Sequence, residues 1–490
     1  MGSASDFLKP VSGFRALTHL SLICLHVAML VSGHLPSTGA EWDKFKGSYL
    51  FTCFQAGAIQ VDLMFALSGF LLVFKILQAK TAQSLIDFIK GRVLRLLPPI
   101  IAISVIGVVI GDSWEIDDVT AADYKPVWLR LATMWTFVLN YVPQAQYGSF
   151  TLSLCWSCCV DLHSGAIITV VANFVRSLVT EKGSVVMNKE EKHRFVYVLR
   201  NVFIAWLLIS LATRAILFDK DGLNMYKLGK LNHFGNVMTD NSYSWIAGRY
   251  DHDWKTSNTA GDFTQHYLDH MYTPTHTRYG PFAVGGIMAC NLYQARAADK
   301  SPKGSWLGTI VCWFFTIQAI IMLVIPCIPQ GDEEAPVEAQ LFVTAAIRTV
   351  ASASGAFLLF RALVPSDHPW HWGSVSSLLS SSALQPIAEI SYCSYLVHFR
   401  VLLELCYNKT PREIISFGLS LDTAEGWIAF MPRLFLAGTA MSLLIATALH
   451  GVVERPFLRL ATNNTTQKTV TSFGDMERML ASNNDNKKMK

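Results

Sequence analysis

Three ionisable side chains lie inside an apolar stretch near the start of the chain. The segment FRALTHLSLICLHVAML, residues 14 to 30, contains Arg15, His19 and His26. In a helix these three fall close to one stripe, and the step from Arg15 to His26 rises ~16 Å. An arginine inside a bilayer costs about 2.5 to 3.5 kcal/mol on insertion scales, so such residues usually face a polar interior and mark a functional site. The structural alternative is that Arg15 reaches the lipid headgroups while the histidines hydrogen-bond neighbouring helices.

The composition indicates an integral, multi-pass membrane protein. The chain has 490 residues, of which 51% are hydrophobic and only 16% are charged, and its mean hydropathy is +0.33. These values are typical of a polytopic membrane protein rather than a soluble one. The formal net charge is only +4, and no long basic stripe is present, so a nucleic-acid partner is not expected.

Apolar runs along the chain predict an all-α protein with about ten transmembrane helices. At roughly 20 residues for each crossing, the runs fall near residues 14–33, 56–77, 94–111, 150–175, 196–217, 280–297, 305–328, 340–363, 384–406 and 427–453. We expect one transmembrane domain over residues 1–458, with a polar outer loop at 218–277 and a disordered cytosolic tail at 459–490.

A shorter apolar run at residues 127–142 decides the predicted topology. If it crossed the bilayer, the basic segments at 75–95 and 176–200 would lie on opposite faces. If it lies at the interface, both segments and the basic tail share the cytosolic face, as the positive-inside rule requires. We therefore expect an interfacial or re-entrant segment, with both termini in the cytosol.

Six further short motifs follow in a fixed order. They are VDLMFALSGFLL (61–72), KGRVLRLLPP (90–99), CWSCCVDLH (155–163), RYGPFAVGGIM (278–288), AEISYCSYLVH (388–398) and VVERPF (452–457). Their order and spacing, over residues 10–458, resemble the acyltransferase-3 family. This family of membrane O-acyltransferases includes bacterial polysaccharide and peptidoglycan O-acetyltransferases and the animal nose-resistant-to-fluoxetine proteins.

The resemblance implies an enzyme with two groups of site residues. The family's first helix carries an arginine, ten residues and a histidine, which Arg15 and His26 match, and that histidine is taken as the catalytic residue. The family's Arg-x-x-Arg pair is matched by Arg92 and Arg95, and it is implicated in holding acyl-CoA. Asp161 stands where the family usually has a glutamate, one methylene longer.

The remaining motif positions complete the implied site. The implied roles are catalytic for His26 and Asp161, donor-binding for Arg15, Arg92, Arg95 and Arg278, and substrate-binding for Asp62, Ser68, Trp156, His398 and Glu454. The implied co-substrate is acyl-CoA, in the first instance acetyl-CoA, and the implied acceptor is a hydroxyl-bearing glycan or lipid. No bound cofactor is expected.

These residue types suit acyl transfer from a thioester to a hydroxyl. Such a reaction needs a base for the hydroxyl proton, and an imidazole operates near neutrality. Arginines bind the phosphates of CoA through bidentate guanidinium forks. An acid such as Asp161 or Asp62 either fixes the tautomer of a histidine or completes an ion pair with an arginine, and the sequence leaves these alternatives open.

Other functions remain alternatives at this point. A proton-coupled or anion transporter would use the same intramembrane Arg, His and Asp residues, although it would more often show inverted repeats, which this chain lacks. A receptor or lipid-binding protein without catalysis is a third possibility. Two sets of residues have metal-ligand spacing, but we expect no metal site: Cys155, Cys158, Cys159 and His163, and the pair His266 and His270.

Overall fold

A computed structural model gives the architecture of the chain. It describes residues 4–32, 40–55, 59–109, 126–142, 153–181, 186–221, 268–297 and 345–463, with the isolated positions 310, 338, 341 and 342. Within these residues the structure consists of helices and connecting turns, with no strand. This agrees with the predicted all-α class. The predicted run at 305–328, most of the polar loop and the tail beyond residue 463 lie outside the described residues.

Fifteen α-helices are described. They are α1 (Ala4–Ser32), α2 (Ala40–Lys46), α3 (Tyr49–Gln55), α4 (Gln60–Gln78), α5 (Leu85–Val109), α6 (Val127–Trp135), α7 (Trp156–Val179), α8 (Lys189–Asp221), α9 (Tyr279–Ala297), α10 (Ile347–Leu363), α11 (Gly373–Leu379), α12 (Leu384–Tyr407), α13 (Lys409–Ile415), α14 (Ala424–Leu449) and α15 (Arg455–Asn463). Single π-helical turns cover Leu268–Tyr272 and His450–Glu454.

Five of the described helices are long and apolar enough to cross a membrane. They are Leu8–Ser32, Gln60–Gln78, Trp156–Val179, Lys189–Phe218 and Ala424–Leu460. Other described helices, such as α5 and α12, coincide with predicted runs but are not among these five. The structure therefore supports a helical membrane protein, and the predicted count of ten spans stays a prediction.

Helix α6 is too short to cross a bilayer. It has nine residues, so it extends only about 14 Å, less than half of a hydrocarbon core of ~30 Å. After it the chain turns, with Phe137 in a left-handed backbone conformation, into a 3-10 turn over Leu139–Tyr141. The segment 127–142 thus has the geometry that an interfacial or re-entrant element requires.

Two buried hydrophobic clusters meet along α1 and α12. The first two thirds of α1 contribute Phe14 and Leu22 to the larger cluster, which includes residues of α4, α5, α7, α8, α9 and α10. Its last third contributes Val27 and Val31 to a second cluster with α3, α12 and α14. Helix α12 is divided in the same way, because Tyr392 and Leu396 join the first cluster and its buried apolar residues from Phe399 onward join the second. His26 and His398 therefore lie where the two clusters meet.

Helices α1 and α12 run side by side in the same direction. The side chain of Gln385 donates to the carbonyl of Lys9 at 3.3 Å, near the start of both helices. Further along, His19 contacts Ser394 and His26 contacts His398. This parallel pairing brings the stripe predicted on α1 against one face of α12.

Glycines allow α4 and α9 to approach closely. A Cβ placed on Gly285 would lie 1.9 Å from the carbonyl oxygen of Ala66, and one on Gly69 would lie 2.4 Å from that of Phe282. Only glycine permits such contact between two helix backbones, as is usual in membrane bundles. The close approach fixes Ser68, the neighbour of Gly69, and Arg278, which precedes α9.

We expect Gly285→Ala to destabilise the protein by roughly 1 to 3 kcal/mol, because overpacking forces the two helices apart. The measurement is the thermal unfolding midpoint of the protein in detergent. Gly451→Ala is the matched control, since a Cβ there meets nothing within 4 Å. Equal midpoints for the two variants would contradict the proposed role of the α4–α9 contact.

Candidate active site

A pair of buried histidines lies between α1 and α12. The Nδ1 of His26 is 2.7 Å from the Nε2 of His398, and the two rings stack with centroids 4.9 Å apart. His398 is fully buried, whereas His26 retains 6% exposure. Phe399 packs edge-on against His26, with centroids 4.9 Å apart. We call His26 and His398 the histidine pair.

His19 lies between Arg15 and His26 on α1 and has a different partner. Its Nε2 is 2.8 Å from the hydroxyl of Ser394, and its ring lies edge-on to His398 at 5.7 Å. The Nδ1 of His19 is buried without a hydrogen-bond partner among the described residues. His19 is fully buried, so its contacts are those of a helix-packing residue.

The predicted donor arginines come together at the Arg15 end of the same stripe. Arg15 has Arg92 and Arg95 as electrostatic neighbours, together with Asp161 and Glu454. We call Arg15, Arg92 and Arg95 the arginine group. Three arginines with two acids leave one excess positive charge among these five residues. The side chains of Arg92 and Arg95 are 21% and 24% exposed, so an anion can reach them.

Asp161 pairs with an arginine rather than with a histidine. Its Oδ2 lies 3.2 Å from Arg92, and its Oδ1 accepts a short hydrogen bond from the hydroxyl of Ser68. Arg92 also donates to Ser68 at 3.3 Å. Among the described residues, no carboxylate makes a hydrogen bond or ion pair with His26. Of the alternatives that the sequence left open for Asp161, the structure shows the ion pair.

Glu454 organises the second arginine of the pair. Its carboxylate lies 3.7 Å from Arg95 and 2.8 Å from Nδ1 of His450, and it accepts from the thiol of Cys393 at 3.1 Å. The π-helical turn His450–Glu454 sets this carboxylate, which is only 2% exposed, against α5. The ERPF motif therefore fixes Arg95.

Cys393, His450 and Glu454 also form a group with metal-ligand chemistry. Their ligand atoms lie within 4.8 Å of one another, and no other such group is found in the described part of the chain. The guanidinium of Arg95 at 3.7 Å from Glu454 repels a cation there, which favours an ion-pair network. The predicted alternative at Cys155, Cys158, Cys159 and His163 does not form such a group, and His266 lies outside the described residues.

Asp62 forms a separate buried cluster with two arginines. Its carboxylate accepts from Arg278 at 2.7 Å and from Arg348 at 2.8 Å, and all three side chains are less than 5% exposed. We call these residues the Asp62 triad. The ring of Tyr272 covers both guanidiniums, at 4.1 Å from Arg278 and 4.9 Å from Arg348, and Trp156 lies 5.3 Å from Arg278.

The structure thus divides the predicted site residues among three places. Arg15, Arg92, Arg95, Asp161, Ser68 and Glu454 come together at the arginine group, His26 pairs with His398, and Asp62, Arg278 and Trp156 gather at the triad. Arg278 is therefore not part of the arginine group, although it was expected to bind the donor. Its guanidinium is 1% exposed and committed to Asp62.

Three helices connect the arginine group to the histidine pair. On α1, eleven residues separate Arg15 from His26, or ~16 Å. On α12, Cys393 contacts Glu454, the ion-pair partner of Arg95, and His398 follows five residues later. The third connection is α7, because Tyr395 hydrogen-bonds Ser157 at 2.8 Å, one turn before Asp161. The two places are therefore held in a fixed relation by packed helices.

The family model Acyl_transf_3, described as an acyltransferase domain, matches residues 11–451, nearly the whole chain. The chain belongs to this acyltransferase family. No curated protein and no solved structure matches it. The protein is therefore an acyltransferase with helices suited to a membrane, and the resemblance inferred from the motifs is confirmed.

Sequence reasoning missed several residues that the structure places at these sites. Arg348, which shares Asp62 with Arg278, stands at the start of a predicted apolar run, so the rule that intramembrane charges mark sites would have found it. Ser394 and Tyr395 lie within the AEISYCSYLVH motif, so the motif marked this stretch. Their partners on α1 and α7 depend on how α12 packs against those helices.

We expect Asp62→Asn to destabilise the protein by roughly 3 to 5 kcal/mol, because it removes the carboxylate that two buried guanidiniums share. The measurement is the unfolding midpoint in detergent, with Asp62→Glu retaining the charge for comparison. Glu425→Gln is the control, since Glu425 is an exposed acid 3.6 Å from Lys44 and its loss should cost at most about 1 kcal/mol. A similar midpoint for Asp62→Asn and this control would contradict a structural role for the triad.

Proposed function

We propose that the protein is a membrane O-acyltransferase that moves an acyl group, in the first instance acetyl, from acyl-CoA to a hydroxyl of a carbohydrate or lipid acceptor. The observation that carries this proposal is the placement of a buried histidine pair and a partly exposed arginine group at two points along α1, which holds both His26 and Arg15. The family supplies acyl transfer, and these two places supply a base and an anion-binding surface.

The arginine group is the proposed binding site for the CoA phosphates. Arg92 and Arg95 are each paired with one acid, so both are oriented but retain exposed guanidinium edges. Arginine binds phosphate oxygens through two parallel hydrogen bonds, which fixes the direction of the bound molecule. The pantetheine arm of CoA separates the phosphates from the thioester, and in this arrangement the arm would extend along α1 toward His26.

His26 is the proposed general base. Its imidazole takes the proton of the acceptor hydroxyl while the oxygen attacks the thioester carbonyl and forms the new C–O bond. The C–S bond then breaks, and the imidazolium of His26 returns the proton to the departing thiolate, which leaves as the CoA thiol. Atoms and charge balance within this exchange, and His26 ends the reaction neutral.

The proposed orientation follows from the charges at the arginine group. CoA is a cytosolic compound, so Arg15, Arg92 and Arg95 should face the cytosol. Arg15, close to the N-terminus, and Glu454, close to the C-terminus, are electrostatic neighbours. Both ends of the domain then belong to the cytosolic side, and the Asp62 triad belongs to the opposite half of the bundle, from which an acceptor would approach.

We expect His26→Ala to lower acetyl transfer by about 10²-fold to 10⁴-fold while acetyl-CoA affinity stays within threefold, because a positioned base is lost but the donor site remains. The assay is incorporation of radiolabelled acetyl groups from acetyl-CoA into the lipid and glycan fractions of membranes at matched expression. His163→Ala, which removes a half-buried histidine that contacts Thr275, is the control. Near-wild-type transfer in His26→Ala would remove this assignment and favour the transporter alternative.

Donor binding is tested separately with variants of Arg92 and of its ion-pair partner Asp161. We expect Arg92→Ala to weaken binding of radiolabelled acetyl-CoA to the purified protein by about 10-fold to 150-fold, since a charge-assisted contact contributes about 1.5 to 3 kcal/mol. Arg92→Lys should recover only part of the affinity, because lysine lacks the fork. Asp161→Asn breaks the same ion pair but keeps Arg92, so it should bind acetyl-CoA much better than Arg92→Ala does. Equal losses in these two variants would show that the pair is structural and that the donor binds elsewhere.

A further inference from the structure

The backbone of α12 determines which ring nitrogen of His398 carries a proton. The Nδ1 of His398 lies 2.8 Å from the carbonyl oxygen of Tyr395 and 3.3 Å from that of Ser394. A carbonyl oxygen only accepts hydrogen bonds, so Nδ1 must be the donor in both contacts. In the neutral imidazole the other nitrogen, Nε2, is then unprotonated and acts as an acceptor.

The position of the proton on His398 determines its position on His26. The Nε2 of His398 is 2.7 Å from the Nδ1 of His26. Because Nε2 of His398 is the acceptor, the Nδ1 of His26 must carry the proton that lies between the rings. The neutral ring of His26 therefore has its lone pair on Nε2, which makes Nε2 the atom that can accept a proton.

We propose that His398 is a positioning residue that holds His26 in the Nδ1–H tautomer, so that Nε2 of His26 is the basic nitrogen. This proposal rests on the proposed function for the statement that His26 is the base, whereas the tautomer itself follows from the hydrogen bonds. His398 would then not bind the substrate, the role that the family resemblance implied for it.

The surroundings of the pair suit an orienting role. His398 is fully buried, and the Tyr395 ring lies 5.8 Å from it on one side, while Tyr395 itself is tied to Ser157 at 2.8 Å and to the carbonyl of Leu154 at 2.9 Å. These contacts prevent the His398 ring from rotating. A ring so fixed presents the same nitrogen to His26 through every turnover.

His398 also confines the transferred proton to His26. Its own Nδ1–H points at two backbone carbonyls, which have no proton to exchange. The proton that His26 gains at Nε2 consequently returns to the thiolate rather than passing along α12. A neutral acceptor performs this task without placing an additional anion inside the bundle, where an unpaired charge is costly.

Packing alone predicts a different set of outcomes from tautomer control. If His398 only fills space between α1 and α12, His398→Leu should retain the reaction, because leucine is apolar and of similar reach. If it controls the tautomer, leucine should fail and His398→Gln should succeed in part, since the glutamine Oε1 can accept from Nδ1 of His26. Ser394→Ala is the matched control, because it removes the hydrogen bond to His19 between the same two helices but leaves the histidine pair intact.

The kinetic experiment measures acetyl transfer from acetyl-CoA in membranes at matched expression. We expect His398→Leu to lower kcat by about 10²-fold to 10⁴-fold, as misoriented or wrongly tautomeric histidines do, with the KM for acetyl-CoA changed less than threefold. His398→Gln should recover at least about tenfold over leucine, and Ser394→Ala should lose less than tenfold. A His398→Leu enzyme with near-wild-type kcat, or a glutamine variant no better than leucine, would overturn the proposal.

A spectroscopic experiment reads the tautomer without requiring turnover. The protein is labelled with ¹⁵N-histidine in lipid bilayers, and the His26 signals are identified among the 14 histidines by comparison with His26→Gln. In alkaline buffer we expect a protonated Nδ1 and an unprotonated Nε2 for His26, and a shift toward Nε2–H in His398→Leu. A wild-type His26 with Nε2–H would overturn the tautomer assignment. If the tautomer is as proposed but His26→Ala still transfers acetyl groups, the proposed function fails while the assignment stands.

Discussion

The cost of burying charge inside a helical membrane bundle governs the arrangement of this protein. Three acids of the described helices are each paired with arginines: Asp62 with Arg278 and Arg348, Asp161 with Arg92, and Glu454 with Arg95. Since an unpaired ion in this environment is expensive, each such pair fixes the register of the helices that carry it. Among the described residues, no carboxylate makes a hydrogen bond or ion pair with His26.

The difference between the two arginine clusters is one of access. At the Asp62 triad one carboxylate and an aromatic ring enclose two guanidiniums that are almost completely buried. At the arginine group Arg92 and Arg95 each meet one acid, and their side chains are 21% and 24% exposed. The first arrangement suits a permanent structural contact, whereas the second leaves hydrogen-bond donors for an anion that binds and leaves. Residue type alone does not distinguish the two clusters.

The sequence was sufficient for the family, the helical class and the stripe on α1, because these depend on local apolar periodicity and on motif order. It was also sufficient to bring Arg15, Arg92 and Arg95 together. It could not assign partners, because whether Asp161 meets a histidine or an arginine depends on the crossing of α4, α5 and α7. For the same reason it did not show that Arg278 lies with Asp62 rather than beside Arg15, Arg92 and Arg95. The register of α1 against α12, which pairs His26 with His398, depends on packing between segments more than 370 residues apart.

Because Asp62, Asp161 and Glu454 are already paired with arginines, a histidine suits the proposed task of orienting His26 better than a carboxylate does. A carboxylate beside His26 would add a buried anion, which needs a cation nearby. Arg92 and Arg95 are already paired with Asp161 and Glu454, so this cation would have to come from elsewhere in the bundle. The carboxylate would also attract the arginines that the donor is proposed to use. A neutral imidazole whose proton is fixed by the α12 backbone avoids both effects, because it accepts one hydrogen bond and carries no charge. The orientation of the base is thereby separated from the electrostatics of donor binding, so the two can be altered independently along the same helix.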